Sequence, residues 1–221
     1  MTWMQYLAPL LKGAQITVMI SLASIVLGGI LAFLAGIARI SSNPILSGIA
    51  FAYIALFRGT PLLVQLFWFY YALPLIGISF DPITTGIMTL SLLTGAFGAE
   101  VVRGALLAVP LSQHEAARAL NFSKSYTLWH ICMPQAIIEM MPAFGNLAIQ
   151  NLKDTALVSL ISIADLTFQA QSLRNITLDS ATVYTMTLLG YFIIALFLMF
   201  IMRFIEMKLR RGAAFPRSAH S

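Results

Sequence analysis

Apolar residues in this chain come in long unbroken runs, not at the spacing of elements buried on one face. A bilayer core needs about 20 apolar residues in helical form. Ala14–Ala38 carries no charge and meets that length, so it reads as a first span. Arg39–Pro44 is a short polar turn. Pro61 suits a first helical turn and opens a second span, Leu62 to about Ile76, whose aromatic cluster Trp68–Tyr71 fits a membrane interface. The stretch Ile45–Phe57 before it either extends this helix inward or lies along the interface. Asp81-Pro82 is a turn before a third span, Ile83–Ala99. Ala136 begins a fourth span, and Thr182–Met202 forms a fifth. The expected fold is an all-α integral membrane protein with about five transmembrane helices in one membrane domain, residues 1–221, with its core at about 13–211. Within the first run Gly28, Ala32 and Gly36 fall four apart, a spacing that admits close approach by a second helix.

Composition supports lipid as the solvent. The chain has 221 residues, 59% hydrophobic and 10% charged. Soluble domains carry roughly 25% charged residues, and a chain of this size cannot hide so much apolar surface in one core. A single cysteine, Cys132, excludes an internal disulfide, and His114, His130 and His220 form no metal-binding pair. The net charge of +5 gathers at the ends of apolar runs, which is a membrane-topology pattern and not a nucleic-acid patch. With the N-terminus outside, Arg39, Arg58, Arg103, Arg118, Lys124 and the tail residues Arg203, Lys208, Arg210, Arg211 and Arg217 fall inside, against Lys12, Lys153 and Arg174. That bias makes the loop at about 110–134 and the tail 203–221 cytoplasmic. The first apolar run is too long for a signal-peptide core, so no cleavable signal is expected.

The loop carries the strongest motif. Glu115-Ala116-Ala117-Arg118-Ala119-Leu120-Asn121 is followed after nine residues by Ile131-Cys132-Met133-Pro134. Small alanines admit close approach by another protein, and asparagine is the second choice after glycine for a left-handed residue that ends a helix. The pattern resembles the EAA signature of permeases in binding-protein-dependent ATP-binding-cassette (ABC) importers, with Asn121 where that family has glycine and Met133 where it has leucine. Phe57-Arg58-Gly59-Thr60-Pro61-Leu62-Leu63-Val64-Gln65, Ala99-Glu100-Val101-Val102-Arg103-Gly104 and Lys153-Asp154-Thr155-Ala156-Leu157 resemble segments of its polar amino acid branch. The resemblance covers roughly Gly13 to Arg211.

It implies a type I ABC importer permease fold in a bacterial inner membrane. It also implies a docking role for Glu115, Ala116, Ala117, Arg118, Leu120 and Asn121 in a cleft of an ATP-binding subunit. Partners would be an ATPase dimer, a second permease subunit of the same or a related chain, an extracytoplasmic solute-binding protein and membrane lipids. No GxxxxGK[ST] loop is present, so ATP belongs to the partner, and the chain is not read as an enzyme or as a holder of any cofactor. The exact solute is left open.

Only 13 uncharged residues separate Glu139 from Lys153, too few to cross a bilayer, so the fourth span carries one or both charges. Ionisable groups at depth face a cavity or a partner. Asn146, Gln150 and Asn151 read as a water-lined helix face. Lys153, Asp154, Thr155 and Ser159 are candidates for a translocation path, Asp154 accepting from a substrate ammonium and the others donating to its carboxylate. A structural Lys153–Asp154 pair, with Asp154 or Thr155 capping the next helix, is the alternative. Gln65 and Phe67–Tyr71 either line the same path or pack. Arg58 reads as an interface anchor or half of a structural pair in preference to a substrate ligand, and Glu100 with Arg103 as a pair three residues apart. The competing function is an autonomous secondary transporter or channel, for which the chain lacks the repeats and buried carboxylates such proteins use.

Overall fold

The computed structural model describes residues 3–212, so of the expected tail 203–221 the part 213–221, with Arg217, lies outside the described residues. Helix α1 (Trp3–Arg39) has 37 residues, roughly 55 Å at 1.5 Å per residue. Helix α2 (Pro44–Gly59) is capped by Asn43, whose side-chain oxygen accepts from the amides of Ile45 and Leu46. It stops at Thr60-Pro61, both extended. The chain resumes as α3 (Leu62–Phe67) and continues through a wide π turn, Trp68–Ala72, and a tight 3-10 turn, Leu73–Ile76. Asp81 caps α4 (Pro82–Leu107). Helix α5 (Leu111–Ala119) is short. Helix α6 (Lys124–Tyr126), a π segment at Thr127–Cys132, α7 (Met133–Asp154) and a 3-10 stretch at Thr155–Ile161 form one helical course. Helix α8 (Leu166–Thr177) and α9 (Ser180–Gly212) complete the described residues.

Among the described residues, three helices are long and apolar enough to cross a bilayer alone: Tyr6–Arg39, Pro82–Leu107 and Ser180–Arg210. Two bent pairs, each counted as one span, bring the number to as many as five: Pro44–Gly59 with Leu62–Ile76 at 105°, and Lys124–Ile161 with Leu166–Thr177 at 52°. This count agrees with the sequence, but the boundaries move outward. Leu62–Ile76 is only half of the second span: its 15 residues reach roughly 22 Å as ideal helix, and α2 supplies the rest. The third span runs past Ala99 to Leu107, so Glu100 and Arg103 sit within a helix and pair at 2.8 Å. The fourth helical course starts at Lys124 instead of Ala136, because the Ser123 hydroxyl caps it by accepting from the Tyr126 amide. A rule that ends a span at the first charge misses these extensions, since backbone hydrogen bonding is indifferent to side-chain charge.

The centre of the bundle is the α1–α4 seam. A Cβ placed on Gly98 would stand 2.6 Å from the Ala32 Cβ, and one on Gly36 would stand 2.8 Å from the Ala99 carbonyl oxygen. The small residues spaced by four in α1 therefore meet small residues in α4, which lets the two backbones approach closely. Helices α2 and α7 flank this pair, each packing on both α1 and α4. Asn151 of α7 closes the junction: its amide donates to Thr94 at 2.8 Å, and its oxygen accepts from Ser24 at 3.0 Å and Ser21 at 3.3 Å. Asn151 is thus buried in the contact face, not in the water-lined face expected for it.

Two helix breaks leave backbone polar groups that lipid cannot satisfy. At the 105° corner, the Gln65 amide nitrogen donates to the carbonyls of Phe57 (2.8 Å) and Thr60 (3.0 Å) and to the Thr60 hydroxyl (2.8 Å). The Thr60 hydroxyl in turn donates to the Leu56 carbonyl at 2.8 Å. At the second break, left-handed Ser162 (φ 64°) ends the 3-10 stretch. The buried Asp165 carboxylate then accepts from the Phe168 amide, while the Leu166 amide donates to Thr17 of α1 at 3.0 Å. Gly13 permits that approach, since a Cβ there would stand 2.7 Å from the Asp165 carbonyl oxygen.

Gly98→Leu is expected to force α1 and α4 apart at a cost of about 1–3 kcal/mol or more, seen as a lower melting temperature of the detergent-purified chain. Gly29→Leu serves as the control, because a Cβ there meets nothing within 4 Å. Equal melting temperatures for the two variants would refute the seam as the organising contact. Gln65→Leu removes the donor from two corner carbonyls and is expected to cost about 1–3 kcal/mol; the same thermal assay would record no change if the corner did not depend on it.

Candidate functional site

Helix α5 stands out from the bundle as a knob. Glu115, Ala116, Arg118, Leu120 and Asn121 are exposed, and Ala117 is buried. The helix ends on Asn121 with φ 57°, the left-handed residue the sequence called for. The Phe122 amide donates to the Ala117 carbonyl and the Asn121 amide to the Arg118 carbonyl, a paired closure that satisfies the last turn of the helix. Leu111 and Leu120 bracket the knob with exposed apolar surface. Its base rests on the Thr127–Cys132 segment, with His114 Nε2 3.7 Å from Cys132 Sγ. Two residues after Asn121 comes Ser123, the cap of the helical course that runs on to Ile161. The knob is therefore joined by little flexible chain to the long course that carries Lys153.

The predicted path residues divide into two groups. Lys153 is exposed, and Asp154 is half-buried with its carboxylate accepting from the Gln150 amide at 2.9 Å. Lys153 and Asp154 form no ion pair; those among the described residues are Glu100–Arg103 and Glu206–Arg210. Asp154 makes no capping bond, and Asp165 caps α8. Thr155 and Ser159 are buried, and their hydroxyls donate to the Leu152 carbonyl (2.7 Å) and the Ala156 carbonyl (2.8 Å). Gln65 is buried too, its nitrogen spent on the corner and its oxygen without a partner. Asn146, Gln150 and Lys153 share one exposed face of α7, opposite Phe144 and Asn151.

Depth follows from helix rise. Asn151 is level with Thr94, so Lys153 lies roughly 15 Å below the N-terminal end of α4, inside the bilayer. Met140 packs with Val102 and Leu106 near the other end of α4, so Glu139 sits close to the opposite surface. The fourth span thus carries both charges.

The two open sides of the α1–α4 pair differ. On the α1 side, α1 and α2, with Leu92 of α4 and Trp129, line an open groove of about 1050 Å³ with almost wholly apolar walls, including Ile30, Leu34, Ile49 and Tyr53. On the α4 side, Phe97 is exposed, Glu100 and Arg103 are half-exposed, and the Arg58 guanidinium carbon lies 5.2 Å from the centre of the Phe97 ring. Followed around each helix, the register turns the polar α7 face toward this second side. Sequence reading put Arg58 near a membrane surface or in a pair; in the structure it lies against Phe97, partway along α4. Asp165 and the Ser21–Ser24–Thr94 partners of Asn151 were also missed. Their signal was polar residues inside otherwise apolar runs.

Comparison with known proteins agrees with this geometry. The family model for the binding-protein-dependent transport system inner membrane component matches residues 13–211. A protein of Sinorhizobium fredii described as a probable amino-acid ABC transporter permease is 54% identical, covering 96% of this chain and 91% of the relative. The glutamine transport system permease of Escherichia coli K12 is 34% identical over 91% of this chain and 93% of its own length. The L-cystine transport system permease TcyB of Bacillus subtilis is 34% identical over 93% and 89%. Among solved structures, a crystal structure of an amino acid ABC transporter with histidines superposes with TM-score 0.86 at 31% identity, covering 93% of this chain and 96% of that one. An inward-facing methionine ABC transporter shares the fold, with TM-score 0.77 at 21% identity over 95% and 99%. The chain belongs to the family of binding-protein-dependent transport system inner membrane components, as a permease subunit of an ABC importer.

Proposed function

We propose that this permease carries polar amino acids or related zwitterionic solutes inward, with its N-terminus outside and its C-terminus cytoplasmic. The single observation that carries the coupling part of the reading is the α5 knob: an exposed helix with small residues, ended by a left-handed asparagine and joined closely to the course bearing Lys153. A partner ATPase dimer grips this knob, and its closure on ATP moves α7 relative to the α1–α4 pair. Transport is then alternating access between two states, biased by nucleotide and by a loaded binding protein. A second permease subunit, a copy of this chain or a relative, covers the charged α4 side and completes the path. The membrane domain at about 13–211 works as one unit.

Within the path, Lys153, Asp154 and Gln150 are the groups whose exposure supports contact with solute. Thr155 and Ser159 contribute by binding the backbone next to those groups, and Gln65 by holding the α2–α3 corner. Related permeases described for glutamine and L-cystine support an amino-acid cargo. An autonomous transporter would have no use for an exposed coupling knob, and that reading is set aside.

Glu115→Arg is expected to abolish or strongly weaken co-purification of an ATP-binding subunit in mild detergent. Asn121→Gly should preserve it, and Asn121→Val, which strains the left-handed turn, should reduce it. Retention of the ATPase at wild-type yield by Glu115→Arg would count against the knob. Asp154→Asn is expected to lower amino-acid uptake by proteoliposomes containing the full complex while leaving ATPase co-purification intact. Unchanged uptake kinetics would remove Asp154 from the path.

A further inference from the structure

Arg58 is a charge that neither the fold nor the coupling knob accounts for. It is exposed, and its guanidinium stacks on Phe97. Phe97 lies roughly 22 Å from the N-terminal end of α4 and 15 Å from the C-terminal end. That is near the middle of a hydrocarbon layer about 30 Å thick. No carboxylate lies within 4 Å of Arg58, and none of its N–H donors finds an acceptor among the described residues.

Guanidinium does not give up its proton in proteins, so this charge persists at depth. The Phe97 ring and the C-terminal end of α2 offset part of its cost, but neither offers an acceptor for its five donors. Arg39 makes a useful contrast. It closes the last turn of α1 at a helix end, donates to the Ser47 hydroxyl at 3.1 Å and stacks on Phe51 at 5.0 Å. Arg58 has the aromatic support without the hydrogen bond.

Its side of the bundle is informative. Arg58 shares a face of α2 with Ser47 and Phe51, while Leu46, Ile49, Ala50 and Tyr53 line the apolar groove on another face. Arg58 therefore opens onto the α4 side, the same side as the polar face of α7, roughly 7 Å further from the N-terminal end of α4 than Lys153. An unpaired cation inside a membrane is expected to face a cavity or a partner.

Resting on the importer reading, we infer that Arg58 is the mid-depth station that receives the carboxylate of the translocated amino acid. The planar fork presents two parallel N–H donors to a carboxylate, and the Phe97 ring lies 5.2 Å from its central carbon. The carboxylate would leave Lys153 for Arg58 as the solute moves inward, so the two cations act in sequence along one face.

The test uses the full complex, with ATPase and binding protein, in proteoliposomes fed radiolabelled L-glutamine and a mixed set of labelled amino acids. Arg58→Gln is expected to raise the KM for uptake by roughly tenfold or more, the loss of a charge-assisted pair, with ATPase co-purification and basal hydrolysis kept. Arg58→Lys should raise it less. An unchanged KM in Arg58→Gln would overturn the inference, as would loss of subunit assembly in both variants, which would identify a structural pair with the second permease subunit. A second arm needs no transport. In a Cys132→Ser background, Arg58→Cys should react with a membrane-impermeant cationic thiol reagent and be protected by amino acid. Reaction with lipid-soluble reagents alone would place position 58 against lipid and overturn the inference. Failure of the importer reading itself would appear elsewhere, as a wild-type chain that brings down no ATPase.

Discussion

In a bilayer core every backbone N–H and C=O must find its partner within the protein. That constraint governs where this chain is allowed to stop being a helix. It breaks within the membrane-crossing pairs near Thr60-Pro61 and near Ser162–Asp165. Both breaks are repaired by side chains that a soluble protein could have replaced with water. Gln65 folds back onto two carbonyls at the first, and Asp165 and Thr17 supply acceptors for amides at the second. Without these groups the corner would expose polar backbone to hydrocarbon, and the direction of α3 and α8 would be lost.

The repaired corner has a consequence for charge. Because α2 ends at mid-depth, its last turn presents Arg58 well inside the membrane instead of at a surface. The same broken geometry divides the molecule into a side fit for acyl chains and a side fit for ions. On the α1 side the groove walls are apolar almost throughout. Arg58, Glu100, Arg103 and the polar face of α7 gather on the α4 side. Close packing of small residues along α1 and α4 keeps these sides apart, since the seam leaves no room for a water-filled gap between them.

Mechanical continuity links the ends of the molecule. The knob at Glu115–Asn121 is tied back by its own closing hydrogen bonds and followed at once by the capped course from Lys124 to Ile161. Two parts of that course are not ideal α-helix: the π segment Thr127–Cys132 and the 3-10 stretch Thr155–Ile161. They flank α7, with Lys153 and Asp154 at its far end. Departures from α geometry of this kind often mark places where a helix bends or functions. Here they bound the segment that would have to move between the knob and the charged face.

Sequence by itself determined the class of the molecule, its family and its most local features. Long uncharged runs announce helices in lipid because transfer free energy depends on composition and not on neighbours. The Glu100–Arg103 pair, the left-handed end of α5 at Asn121 and the small-residue stripe of α1 were legible because each acts within a few residues or along one helix. Only the tertiary structure decided which polar residues in those runs face each other. Asn151 read as water-lined until Ser21, Ser24 and Thr94 were found around it, and the sequence left Gln65 open between lining a path and packing, with no sign of the corner carbonyls that its nitrogen binds. Arg58 read as an interface anchor or half of a pair, and only the packing of α2 on α4 set it against Phe97. A residue type states what bonds a side chain can make; the partners that claim them lie tens of residues away, brought close only by the packing of helices.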